Sequence, residues 1–521
     1  MNSSPLNLPV AAADRIARCL TEFRGLRARG ALCTEVTEQL AQEAASTFLN
    51  HYQEHGEYLR DAITLLAEIA TLEEPCLAEP GQRATFPLLV ETLSDSFDPK
   101  HSALYDRAFT QMISCCRQLS EAKDLDDALK RFGLYSEGSL LERKARLRAR
   151  PPFRDPAEQA KVRKVLVLSR VTLGADVAIT SVVLEKTRRI FPQAERVLFG
   201  SAKLRELFGG DRSLRVREVR YEAGGGLLER LRNWPPLVAT IAQEVEHLRA
   251  EEYILLDPDS RLLQLGLFPA LDDESRYYFF ESRPYGELGQ GSLSQITLRW
   301  LNRLFGQEEE LFPSLWLREQ DIAFGRKVSE RLRADGAGYL LAASFGVGGN
   351  ARKRLADPFE ELLLEALLKE GATVLLDKGF GPEEAERVEA QAARIKAKGW
   401  PVVSLDLSRL SAEMAAAPRR KGSLYTWQGE IGTFAALIAA SDEYIGYDSA
   451  GQHLAAALGI PTVDIFSRIA TPVFQERWRP TGPGIVTAVS EADPQGMPKD
   501  LPALLAEVLA LHRALRTATD K

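Results

Sequence analysis

The stretch Tyr444-Ile-Gly-Tyr-Asp-Ser-Ala-Gly-Gln-His-Leu-Ala-Ala-Ala-Leu-Gly-Ile-Pro-Thr-Val-Asp-Ile-Phe466 decides the fold. Its aromatic and β-branched start, Tyr444–Tyr447, predicts a strand. Asp448-Ser449-Ala450-Gly451 supplies turn and helix-capping chemistry. The small residues from His453 to Leu458 suit a helix lying close on a sheet; Gly459 ends it, and Pro461 bars its continuation. Thr462–Phe466 then reads as a second buried strand. In a parallel α/β sheet the turn after a strand faces the ligand crevice. The free N–H groups of the helix that follows favour an anion, typically phosphate. At Asp448 a carboxylate suits a sugar hydroxyl or a base better than the phosphate itself.

Working outward, the same alternation fills the second half of the chain. Tyr339–Ser344, Thr373–Leu376 and Val402–Leu405 read as strands, and Pro358–Lys369 and Pro382–Lys398 as helices. After the first of these strands comes a glycine-rich basic loop, Phe345-Gly-Val-Gly-Gly-Asn-Ala-Arg-Lys-Arg354. Gly348, Gly349 and Asn350 permit close backbone approach to an anion, and Arg352, Lys353 and Arg354 supply charge. No G-K-[ST] ends the loop, so it is not a P-loop. Leu501–Thr517 reads as a terminal helix able to cross back onto an earlier domain.

A hinge near Pro313 separates this half from an earlier α/β pattern. Lys164–Ser169, Arg196–Phe199, Val216–Val219 and Tyr253–Leu256 are its strands, with a helix over Ala178–Phe191. Asp176 follows the first strand; Asp257, Asp259 and Arg261 close the last and are candidates to line a cleft there. Before Pro151 the pattern is helical, with breakers at Gly30, Gly56, Pro75, Pro80-Gly81, Pro99 and Gly133, and no fixed repeat. Ser139–Pro156 is a linker candidate. Its basic run, Glu142 to Arg150, reads either as a solvated helix face or as a contact for anionic lipid or acidic glycan. The expected fold class is therefore α/β, with three domains: an all-α region at 1–155 and two Rossmann-like domains at 156–313 and 314–521.

Two such domains in tandem describe the GT-B architecture, and the opening stretch resembles the D-[ST]-G-x-x-H-x-A-A-A-L-x-x-P-T signature of glycosyltransferase family 9, the ADP-heptose:lipopolysaccharide heptosyltransferases. The resemblance runs from Lys161 to Ala488 and includes K-V-L-V-L-S-R-x-x-L-G-A-D-V in the first domain. It implies an inverting transfer of a sugar, heptose from ADP-heptose, to a hydroxyl of a lipopolysaccharide core or another bacterial surface glycan. It also implies a role for each matching residue. Asp176 matches the general base, Lys353 a lysine that meets the leaving diphosphate, and Glu383 a glutamate on the nucleotide ribose. Asp448, Ser449, Ala450, Gly451, His453 and Thr471 fall in the donor-binding motifs, with Gly348, Gly349, Asn350 and Arg352. Three departures stand out. Ala450 replaces a glycine, Ala175 separates Gly174 from Asp176, and Ser467 replaces another glycine. A position that demands positive φ would strain an alanine, whereas one that demands only close approach would admit a methyl group.

No metal or other cofactor is implied. Other readings are a nucleotide-sugar epimerase, a protein glycosyltransferase whose helical region recruits the acceptor, and a non-catalytic nucleotide-sugar-binding protein. The chain has 521 residues, of which 45% are hydrophobic and 27% charged, as in globular proteins. Its net charge of −7 argues against a nucleic-acid partner. Cys19, Cys33, Cys76, Cys115 and Cys116 lack zinc spacing and read as buried, reduced thiols. Met1–Ala13 has no signal-peptide pattern, and no apolar run reaches the length of a membrane span. The expectation is a cytoplasmic protein, peripheral at the inner membrane if Arg143–Arg150 meets lipid.

Overall fold

The computed structural model describes residues 11–221, 225–284, 289–334, 336–348, 353–406, 422–467, 472–492 and 497–519. The chain divides into two compact units.

The first unit holds Met1–Arg150 together with Arg220–Leu248 and Arg261–Glu287. Helices span Ala12–Ala28, Thr34–His55, Arg60–Ala70, Pro99–Cys116, Lys123–Arg131 and Glu137–Arg148. Pro80-Gly81 does not break the chain as expected. It lies in a helix, Pro75–Arg83, that runs through a π-turn at Ala84–Val90 into Glu91–Asp95. A Cβ at Gly81 would sit 2.5 Å from the Ala70 backbone nitrogen, so the two helices approach backbone to backbone and only glycine fits. Trp234 fixes the later segments: its indole N–H donates to the Pro269 carbonyl at 2.7 Å, and its ring stacks on Phe268 and meets Phe132.

Part of the basic run is not a solvated face, although Arg146 and Arg148 within it are exposed. Arg143 is buried against Glu274 and donates to the Gly266 carbonyl at 2.8 Å. Lys144 is buried on Asp106 at 2.6 Å, and Arg148 bridges Asp106 and Glu281. Arg150 donates to the Ser275 carbonyl at 2.8 Å. Arg143 and Lys144, desolvated and paired, are thereby committed to the fold of this unit. Within Ser139–Pro156 the helix runs to Arg148, and the division between the two units falls after Arg150. The cysteines are all free, but Cys33 and Cys76 are exposed rather than buried. Among the described residues no helix is long and apolar enough to cross a membrane.

The second unit, Pro151–Val219, Arg249–Ser260 and Leu288–Lys521, is α/β with two parallel sheets. In the first, β1 (Lys164–Leu168), β2 (Glu195–Gly200), β3 (Leu214–Glu218) and β4 (Tyr253–Asp257) lie in the order β3-β2-β1-β4. Lys164 is in register with Glu195 on one side and Tyr253 on the other. A short strand, β5 (Tyr277–Phe279), belongs to the helical unit.

The second sheet comprises β6 (Leu340–Ser344), β7 (Thr373–Asp377), β8 (Val402–Asp406), β9 (Leu424–Gln428), β10 (Glu443–Tyr447), β11 (Thr462–Phe466) and β12 (Val486–Ser490). Its order is β12-β11-β10-β6-β7-β9-β8. Leu341, Val374, Ile445 and Val463 are fully buried in its core, beneath the helix Phe359–Lys369. The terminal helix, Leu501–Thr519, packs on this sheet through Leu504, Val508 and Leu515 rather than crossing to the first.

Each sheet reverses its winding at one place: between β1 and β4, and between β6 and β10. Ligands of open α/β sheets bind beyond the carboxyl ends of the strands at such points.

Candidate functional site

At the first reversal the chain leaves β1 through Ser169 and Arg170 into a helix beginning at Leu173. Asp176 is not the cap of this helix; Thr172 holds that position. The residue that Ala175 adds is followed directly by a π-turn, Asp176–Thr180, a geometry that holds one residue more per turn. Asp176 is 1% exposed. One oxygen accepts from the Arg170 N–H and the Thr180 hydroxyl, the other from the Ser169 hydroxyl, each at 2.7 Å. Burial pushes its pKa up to about 6 against these three bonds.

Asp257 and Asp259, expected to line an acceptor cleft, are buried and engaged. Asp257 accepts from the Ser260 N–H at 2.7 Å, and Asp259 pairs with Arg170 at 3.0 Å. Arg170 also donates to the Pro258 carbonyl, which ties the end of β4 to the loop that carries Asp176. Arg261 belongs to the helical unit.

At the second reversal, Lys353 places its ammonium 2.8 Å from Asp448 and over the Phe474 ring. The other Asp448 oxygen accepts from the Gln452 amide at 2.7 Å. Ser449 precedes the helix Ala450–Ala457 in extended backbone, without a side-chain cap. Ala450 opens that helix and is absent from the positive-φ residues, so its methyl group is unstrained. Gly451 carries the steric demand instead: a Cβ there would lie 2.0 Å from the Tyr444 hydroxyl. His453 is buried edge-on to Trp478, and burial lowers its pKa to about 4, leaving it neutral at pH 7. It can hydrogen-bond a ligand but brings no charge to an anion. Ser467, in place of glycine, donates to the Lys353 carbonyl.

The two reversals meet. Gly174 packs on the motif helix so closely that a Cβ would stand 3.3 Å from the His453 ring and 3.5 Å from the Ala450 Cα. The loop bearing Asp176 therefore lies against the motif that bears Asp448, with which Lys353 pairs.

Gly348 turns with φ of 62° in open space. Gly349, Asn350, Arg352 and Thr471 lie outside the described residues. Arg354 is committed to Glu360 and Asp357, both at 2.7 Å, and is not a spare phosphate ligand. Glu383 is exposed on the first turn of the helix Pro382–Ala397. Its neighbour Glu384, which the sequence reading passes over, is the buried one. It accepts from the Val347 N–H at 2.8 Å and the Phe380 N–H at 2.7 Å, joining the loops that follow β6 and β7. Asp464 was also missed. It lies in β11 opposite Gly446, fully buried, and neither oxygen has a hydrogen-bond partner. Burial first and Asp448 second hold its carboxyl well above the usual range.

No family model matches this chain, and no curated protein matches it. Solved structures do, at low identity, and they include glycosyltransferases, heptosyltransferases among them. One is E. coli ADP-heptose lipopolysaccharide heptosyltransferase II, 16% identical over 69% of this chain and all of that one, with a TM-score of 0.45. The family 9 glycosyltransferase from Veillonella parvula is 16% identical over 63% of this chain and 86% of its own, with a TM-score of 0.43. E. coli heptosyltransferase WaaC, solved with ADP, is 14% identical over 67% and 99%, with a TM-score of 0.42.

Proposed function

We propose that the chain is an inverting glycosyltransferase of GT-B architecture that moves a sugar, heptose from ADP-heptose, onto a hydroxyl of a lipopolysaccharide core or similar glycan. The observation that supports this reading is the approach of Gly174, two residues before the buried Asp176, to Ala450 and His453 of the motif that follows Asp448. Asp176, with a pKa of about 6, is mostly ionised at pH 7 yet basic enough to accept a proton. The acceptor hydroxyl displaces one of its present donors, the Ser169 or Thr180 hydroxyl. As the acceptor oxygen bonds to the anomeric carbon, its proton passes to Asp176. The bond from that carbon to the donor phosphate breaks, and its electron pair leaves with the diphosphate. Lys353, released from Asp448, meets the charge that develops there. Gly348 and the N-terminus of the Ala450–Ala457 helix offer backbone N–H groups to the same anion.

The test is incubation with ADP-, GDP- and UDP-linked sugars and a panel of truncated lipopolysaccharide cores, read by intact mass of the acceptor. A sugar increment on a core from an ADP-linked donor is expected. Nucleotide binding without any transfer, across donors and acceptors, would refute the catalytic reading.

A further inference from the structure

The scheme above gives the diphosphate its partners and leaves the base of the nucleotide without one. Phe380 is the most exposed large apolar side chain among the described residues, at 74%. It stands at the tip of Gly379-Phe380-Gly381, directly beyond β7, the strand beside β6. Both glycines have positive φ, 77° and 89°. Gly379 admits no side chain, since a Cβ would lie 2.2 Å from Glu384 Oε2. The Phe380 N–H donates to that same oxygen, while Glu384 Oε1 accepts from Val347, next to Gly348. A buried carboxylate thus fixes the backbone from which the exposed ring projects and ties it to Val347. A slack loop tip would fold such a ring onto apolar neighbours; this one is prevented from doing so.

Across from it, Lys203 follows β2 of the first sheet and sets its ammonium 3.9 Å over the Phe380 ring centroid. Aromatic faces take cations and flat bases alike, and both draw on the same π-surface.

We propose that Phe380 is the stacking platform for the nucleobase of the donor, and that Lys203 occupies its face until the base arrives. The inference rests on the nucleotide-sugar reading and adds the specificity-bearing contact that it lacks. Stacking of one base makes Phe380→Ala bind adenosine and ADP about 5- to 150-fold more weakly, by equal factors. Lys203→Ala removes the competitor and tightens both about two- to fivefold, the worth of an exposed cation–π contact. Phe380→Trp keeps the platform, and the fluorescence of the new indole is quenched as adenosine is titrated.

Calorimetry of wild type and variants with adenosine and ADP separates the outcomes. Unchanged adenosine affinity in Phe380→Ala, with a wild-type melting temperature, overturns the platform. Weaker adenosine binding in Lys203→Ala overturns the competition, because Lys203 would then be a ligand contact. If wild type binds no nucleotide at all, the nucleotide-sugar reading falls and this inference falls with it. If wild type binds ADP but Phe380→Trp shows no quenching, only the inference falls.

Discussion

Replacing Asp176 by Asn separates catalysis from stability in a way the structure allows to be worked through. The amide keeps one carbonyl oxygen for the Arg170 N–H and the Thr180 hydroxyl, and turns its NH2 toward the Ser169 oxygen. What disappears is a buried negative charge. The folded pKa of about 6 against an ordinary 3.8 is some 2 units of disfavoured ionisation, or about 3 kcal/mol at neutral pH. The sign follows from proton binding. Between pH 4 and 6 the folded protein holds more of this proton than the unfolded chain, so folding stability falls as pH rises through that window and levels off above it. Asp176→Asn removes this slope, and its melting temperature at pH 7 should equal or exceed that of wild type. Turnover should fall about 10²- to 10⁴-fold, the usual worth of a general base, with donor affinity unchanged. In wild type, turnover should rise with pH from 5 to 7 as the carboxylate ionises. The assays are thermal melts from pH 4 to 8 and transfer rates measured with the acceptor established above. Near-wild-type turnover would refute the base. A variant that is both inactive and markedly less stable would refute the account of a strained charge.

Lys353→Ala should weaken ADP binding about 10- to 100-fold and adenosine binding little, because the cation serves the phosphates alone; equal calorimetric losses would remove it from that role. Gly451→Ala should destabilise the protein by about 1–3 kcal/mol through its clash with the Tyr444 hydroxyl. Tyr444→Phe should restore much of that stability, and denaturant melts showing no rescue would count against the clash. A chain beginning at Asp155 should aggregate in size-exclusion chromatography, since Trp234 loses Phe132 and Glu274 loses Arg143; a monomer that melts cooperatively would contradict this.

Both reversals of the sheets were legible because they are written locally. Turn residues between a β-branched run and a small-residue helix at 444–466, and a glycine-rich loop after a strand at 345–354, need no distant partner to be read. Residues whose meaning depends on distant partners were not legible. Arg143, Lys144 and Arg148 look like a basic face until Asp106, Glu274 and Glu281 are brought to them. Glu383 and Glu384 differ by about 100° of helix rotation, and only packing decides which faces the loops. Strand β9 was missed because its segment, Leu424–Gln428, inserts between β7 and β8 out of chain order. Proline and glycine at 80–81 misled because a π-turn and a close helix contact absorb both.

The ion pair between Lys353 and Asp448 has a kinetic consequence. A bare ammonium at a helix terminus would hold any passing polyanion, and a spent diphosphate as firmly as a fresh donor. Here the lysine is paired with a counter-ion from the neighbouring turn after β10, so in the proposed scheme an anion displaces Asp448 to reach it. The same carboxylate stands ready to reclaim the lysine whenever the phosphate contact loosens. Under the proposed function, one residue would thus weaken retention of the spent nucleotide and hasten its departure.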